Sequence, residues 1–123
     1  METISAQAGP DEADRVYEAA AELFGLMATP LRLKIISALC RCEKTVSELV
    51  GELGSSQPNV SQHLAHLYRA GILARRREGV QIFYRVQNER AVALCRAVCT
   101  QIAIEIEDPA ALAPEQRLLA PRH

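Results

Sequence analysis

Two groups of residues in this 123-residue chain could do chemistry. The first is four cysteines, in two pairs. Cys40 and Cys42 lie two positions apart, and Cys95 and Cys99 lie four apart, a spacing that places both on one face of a helix. Two such thiols can close a disulfide or a sulfur-bridged link under an oxidant or a persulfide. Three or four thiolates can bind a soft ion such as As(III), Cd(II) or Zn(II). Each is also a small apolar side chain that can simply fill a core. The second group is a polar run, Ser55, Ser56, Gln57, Asn59, Ser61, Gln62 and His63, followed by the basic triplet Arg75, Arg76 and Arg77. Amide and hydroxyl side chains hydrogen-bond base edges and phosphates, and Gln or Asn can pair with adenine through two bonds. His63 and His66 have the spacing of a metal pair, but in such a run contact with phosphate or base is the favoured role. No histidine shares an element with the thiols and no Gly-rich phosphate loop occurs, so the chain is not read as an enzyme.

Helices and a hairpin must position these residues. Pro10, Asp11 and Glu12 mark a helix start, and Val16, Ala20, Leu23, Phe24 and Met27 follow at helical spacing. Thr29-Pro30 restarts the chain as a hydroxyl cap with proline in the first turn. Leu31, Ile35, Ile36 and Leu39 form the buried face of this second helix, and Cys40 and Cys42 fall at its end. Thr45-Val46-Ser47-Glu48 reads as a capping box opening a short third helix, which Gly54 terminates. A fourth helix is expected from about Gln57 to Tyr68, with Val60, Leu64 and Leu67 inward and the polar residues largely outward. Its start near Ser55 and Ser56 would offer free N–H groups to phosphate. The period then changes. Residues 72–77 and 81–86 are expected to form two strands of a β-hairpin, with Arg75, Arg76 and Arg77 at the base of the wing. Asn88 can cap a last helix over residues 89–107, whose seam is Leu94, Cys95, Val98, Cys99, Ile102 and Ile106. That seam is broad for a chain end facing water.

The predicted fold is therefore mainly α with a small β-hairpin: a winged helix-turn-helix. Residues 1–10 are expected to be a flexible arm, 11–108 the domain, and 109–123 a flexible tail. Apolar residues make up 49% of the chain and aromatics only 4%, so the core must be aliphatic. A net charge of -1 argues against a protein that coats nucleic acid by charge alone. Local charge is uneven, however. Residues 1–22 carry Glu2, Asp11, Glu12, Asp14, Glu18 and Glu22 against Arg15, whereas residues 55–90 carry Arg69, Arg75, Arg76, Arg77, Arg85 and Arg90 against Glu78 and Glu89. The local field is what a phosphate backbone meets. No stretch has the run of apolar residues a membrane span needs, and residues 1–10 lack the pattern of a signal peptide. A cytoplasmic location is expected, with the thiols reduced at rest. A winged helix serving only protein interaction is the alternative class.

Ala28-Thr29-Pro30-Leu31-Arg32-Leu33, the run Ser56-Gln57-Pro58-Asn59-Val60-Ser61-Gln62-His63-Leu64, Ala70-Gly71-Ile72-Leu73, and Arg76-Arg77-Glu78-Gly79 leading to Phe83-Tyr84-Arg85 resemble the ArsR/SmtB repressors. The resemblance spans roughly residues 16–106. It implies a homodimer built through the first and last helices, bound to double-stranded operator DNA with an inverted repeat. An inducer would lower the affinity for that operator. No cofactor is required, and a soft metal or metalloid ion is one candidate inducer.

Three sensing sites of that family do not map onto this chain. A metalloid-binding Cys-x-Cys in the third helix would fall at Thr45 and Ser47. A zinc site of Asp, His and Glu on the last helix has no histidine, since none occurs between His66 and His123. A persulfide-sensing pair would fall near Ser37 and Ala103. If Ser37 and Ala103 face each other across antiparallel helices, one turn forward on the first is one turn back on the second. Cys40 then comes opposite Cys99, and Cys42 moves towards Cys95. The four thiols would cluster between the second and last helices, either as a sensor of oxidant or reactive sulfur, the favoured reading, or as a soft-ion site.

Overall fold

The computed structural model describes residues 10–107. The arm expected at 1–10 and the tail at 109–123 lie outside the described residues, apart from Pro10, which opens the first helix. In chain order the elements are α1 (Pro10–Leu26), α2 (Pro30–Leu39), β1 (Lys44–Thr45), α3 (Val46–Leu53), α4 (Gln57–Arg69), β2 (Leu73–Glu78), β3 (Gln81–Val86) and α5 (Glu89–Glu107). This is a winged helix: five helices and a small antiparallel sheet.

Helix ends follow from local chemistry. Thr29 Oγ1 accepts from the Arg32 N–H at 3.1 Å, which starts α2. The Thr45–Glu48 capping box is complete: the Thr45 hydroxyl accepts from the Glu48 N–H at 3.2 Å, and the Glu48 carboxylate accepts from the Thr45 N–H at 2.8 Å. Each bond satisfies a backbone donor that has no partner inside the helix. Ser56 caps α4 by accepting from the Asn59 N–H, and Asn88 caps α5 by accepting from the Ala91 N–H. Gly54 closes α3 with φ +67°, a backbone conformation that L side chains rarely adopt.

The sheet differs from expectation in two ways. The hairpin is shifted by one residue: Ile72 is buried before the strand begins, and β2 runs to Glu78. Glu78 pairs with Gln81, so the turn is the two residues Gly79-Val80, with Gly79 at φ +63°. The second difference is β1. Two residues after the α2 turn pair with β3, Lys44 opposite Tyr84 and Thr45 opposite Phe83, and make β3 the central strand in the order β1-β3-β2. Two residues carry no readable alternation, so sequence pattern alone misses this strand.

Ile35, Ile36 and Leu39 of α2, Leu49 of α3, Val60, Leu64 and Leu67 of α4, and Ile72 and Leu73 form the centre of the core. Ala91 and Cys95 of α5 close it from one side, and Tyr84 from the wing. Burial of these aliphatic groups, at about 25 cal/mol per Å² of apolar surface, fixes α4 against α2 and α3. The apolar residues of α1 and α5 are only partly used. Met27, just after α1, is buried, but Val16, Tyr17 and Phe24 on α1, and Val98, Ile104 and Ile106 on α5, stay exposed.

Candidate nucleic-acid interface and thiol cavity

On α4, Val60, Leu64 and Leu67 are wholly buried, and this decides where the other side chains point. Gln57, Asn59 and Gln62 are exposed, as are His66 and Arg69, while Ser61 and His63 are half-buried at the edge of the helix–helix contact. Ser55 and Ser56 shape the N-terminus: Ser56 takes the Asn59 N–H and Ser55 Oγ accepts from Asn59 Nδ2 at 3.3 Å. Asn59 is thus held from two sides, and Gln57 and Gln62 are the exposed amides left without such ties.

His63 has a partner that sequence reasoning did not find. Arg32, at the start of α2, donates from Nε to His63 Nδ1 at 3.0 Å and from Nη1 to the Leu26 carbonyl at 3.2 Å. An Nδ1 that accepts must carry no proton, so the neutral ring carries its proton on Nε2. Burial, then the positive charge of Arg32 and the neighbouring His66, lowers the His63 pKa. The pairing spans 31 positions of sequence, and no local pattern announces it.

The arginine triplet divides. Successive strand residues point to opposite faces. Arg75 lies over the Tyr68 ring at 4.0 Å and donates to the Tyr84 hydroxyl at 3.4 Å, which ties the wing to the end of α4. Arg76 points to the other face. It grips Glu43 through Nε and Nη2 at 2.7–2.9 Å, reaches Glu78 at 3.1 Å and lies over Phe83 at 4.6 Å. Those carboxylates hold its pKa further above the ordinary arginine value, and the Arg76 hydrogen bond in turn lowers that of Glu43. Two acids therefore balance the Arg76 charge. Arg77 is exposed, in register with Ile82, and makes no ion pair among the described residues.

Three of the four thiols come together. Cys40, at the C-terminal cap of α2, and Cys95 and Cys99 of α5 border one cavity of about 110 Å³ with Ser37 and Arg96. The Cys95 and Cys99 Sγ atoms are 3.9 Å apart, and Cys40 Sγ donates to the Ser37 carbonyl at 3.1 Å. Cys95 is buried, and burial, reinforced by Cys99, pushes its thiol up to about 11. Cys42 does not follow the helical extrapolation. The helix stops at Leu39 and the chain turns through residues 40–43 into β1, so Cys42 is exposed and is not among the residues bordering the cavity. Among the described residues no three His, Cys, Asp or Glu side chains stand ready to hold a metal ion. No described helix is long and apolar enough to cross a membrane.

Residues 29–75, covering α2 to the start of the wing, match the family model described as bacterial regulatory protein, arsR family. The chain is 38% identical over 85 residues to a biofilm growth-associated repressor of Xylella fastidiosa, across 66% of this chain and 75% of that one. The chain belongs to the ArsR family. The HTH-type transcriptional regulator KmtR of Mycobacterium tuberculosis is 39% identical over 85 residues, across 68% of this chain; the match spans 65% of the relative's length. The crystal structure of the transcriptional repressor BigR from Xylella fastidiosa superposes with a TM-score of 0.68 at 32% identity, covering 76% of this chain and 95% of that one. These relatives and this fold are those of transcriptional regulators, not of enzymes. Within the ArsR fold seen here, α3 and α4 are the helix-turn-helix and β2–β3 the wing.

Proposed function

We propose that this ArsR-family chain is a cytoplasmic repressor that binds an inverted-repeat operator as a homodimer and lets go when its thiols react with an oxidant or reactive sulfur. One observation carries the reading: α4 is anchored by Val60, Leu64 and Leu67, its other side exposes Gln57 and Gln62, and the wing that follows exposes Arg77. That side suits a major groove, with the amides against base edges and the arginine against phosphate. The exposed apolar residues of α1 and α5 form the surface on which a second copy would close.

The thiol cavity supports the inducible part. Cys40 ends α2 and Arg32 begins it, about 12 Å apart along the helix axis. A covalent change between α2 and α5 would strain the same helix that holds His63 on α4. A coupling of about 1–3 kcal/mol between thiols and operator is ordinary for such switches. A soft ion that would have to draw Cys40, Cys95 and Cys99 together is the second reading, supported by their sharing one cavity although they do not stand ready as a metal site.

The test is fluorescence anisotropy on duplexes selected from genomic fragments, with the protein reduced, treated with persulfide, and treated with As(III). The proposal expects two subunits per inverted repeat, a steep salt dependence, and release after persulfide but not after As(III). Release by As(III) alone would favour the soft-ion reading. Absence of salt-dependent duplex binding would leave a protein-interaction module.

A further inference from the structure

Cys99 borders a second opening. Next to the thiol cavity, sharing Ser37 and Cys99 with it, lies an open groove of about 360 Å³ rimmed by Lys34, Arg41, Glu52 and Cys99. Glu52 is tied to Lys44 Nζ at 2.7 Å, so its charge is balanced from outside the groove. Lys34 and Arg41 have no ion pair among the described residues, nor has Arg96 on the cavity side of Cys99. An exposed thiol thus sits where two hollows meet, with cations on both sides that have no ion pair among the described residues, in a chain whose net charge is -1. No part of the DNA-reading surface uses these cations: Lys34 and Arg41 belong to α2 and the turn after it.

We infer that this groove docks an anionic sulfur compound, a low-molecular-weight disulfide or persulfide bearing carboxylates, and directs its S–S bond onto Cys99. The inference rests on the thiol-sensing reading above and names the reagent class. Lys34 and Arg41 take the carboxylates, and local positive charge raises the concentration of anions at the thiol. Cys99 as thiolate attacks the near sulfur of R–S–S–R′, where R′ is hydrogen for a persulfide. A Cys99–S–S–R′ bond forms and the donor S–S bond breaks. The electron pair leaves on R–S⁻, so Cys99 is oxidised and the donor reduced, with no other reagent. Buried Cys95, 3.9 Å away and holding its proton, is not the first attacker.

The test uses the full chain carrying Cys42→Ser, with Cys99 adducts followed by peptide mass mapping. Three probes are compared: oxidised glutathione, neutral 2-hydroxyethyl disulfide and cationic cystamine, each rate normalised to its reaction with a short cysteine peptide. The expected order is anion over neutral over cation, with the anion favoured at least about fivefold at low salt and the preference collapsing in strong salt. Lys34→Gln with Arg41→Gln should remove that preference and leave the neutral rate within about twofold, because the neutral probe reads thiolate reactivity alone. Rates indifferent to probe charge, or a preference that survives both substitutions, would overturn the docking groove while leaving thiol sensing intact. No adduct at Cys99 with any probe would sink both.

Discussion

Arg32 ties the His63 imidazole of α4 to α2: its Nε donates to His63 Nδ1 at 3.0 Å while its Nη1 donates to the carbonyl of Leu26 at 3.2 Å. The guanidinium thereby joins the end of α1, the start of α2 and the edge of α4. Arg32→Met keeps the apolar stem and removes these bonds. It is expected to lower the unfolding free energy by about 1–2 kcal/mol in urea denaturation and to weaken specific duplex binding more than non-specific binding. His63→Gln, which can still accept from Arg32, should be milder in both. Equal losses in the two variants would mean that the bond orders nothing.

The same pair sets a pH dependence. Protonated His63 cannot accept from Arg32, and its folded pKa lies below the ordinary histidine value of 6.5. The unfolded chain therefore binds the proton more readily. Stability is complete above 6.5 and falls as pH drops through the lowered folded value. His63→Gln should flatten this part of a stability–pH curve measured by urea denaturation. A curve unchanged by the substitution would contradict the assignment.

Arg76 and Arg77 should behave differently on DNA although they are neighbours. Arg77→Ala is expected to weaken binding to all sequences and to reduce the salt slope by about one ion per subunit. Arg76 already faces Glu43 and Glu78, so Arg76→Ala should change the slope little and instead loosen the wing from the turn after α2. Binding measured across a salt series distinguishes them. The reverse ranking would show that the ion pairs break in the complex.

Alkylation should rank the thiols by exposure. Cys42 and Cys99 are exposed and are expected to take iodoacetamide first at neutral pH, with Cys95, held near 11, the last to react. Cys42→Ser should retain inducer release and Cys99→Ser should abolish it, with reduced DNA binding intact in both. Retained release in the Cys99 variant would remove that thiol from the mechanism.

Phe24 on α1 and Val98 on α5 are 57% and 50% exposed in the single chain, a poor state for side chains of this size unless a second copy covers them. Phe24→Glu with Val98→Glu is expected to give monomers in sedimentation velocity, with near-native circular dichroism and lost operator binding. A dimer that persists would place the interface elsewhere.

Much of this molecule was legible residue by residue. The Thr45–Glu48 box, the hydroxyl caps Thr29 and Ser56, and the left-handed Gly54 are chemistry within three or four positions, and each ends or starts a helix where the sequence says it should. The spacing of Val60, Leu64 and Leu67 likewise fixed the inward face of α4, because an amphipathic stripe has one way to bury itself. The ArsR motifs agreed with that local reading.

What the sequence could not order was anything set by a turn or by a distant partner. Arg75, Arg76 and Arg77 look equivalent as a triplet, yet strand alternation sends the middle one to Glu43, 33 positions away. Cys42 seemed one more helical step beyond Cys40, but the chain leaves the helix between them and carries it out of the thiol cavity. His63 reads as another outward polar residue in the sequence, but in the fold Arg32 lies against it. Helix identity is settled by bonds between near neighbours. Which side chains meet is settled only when whole elements pack.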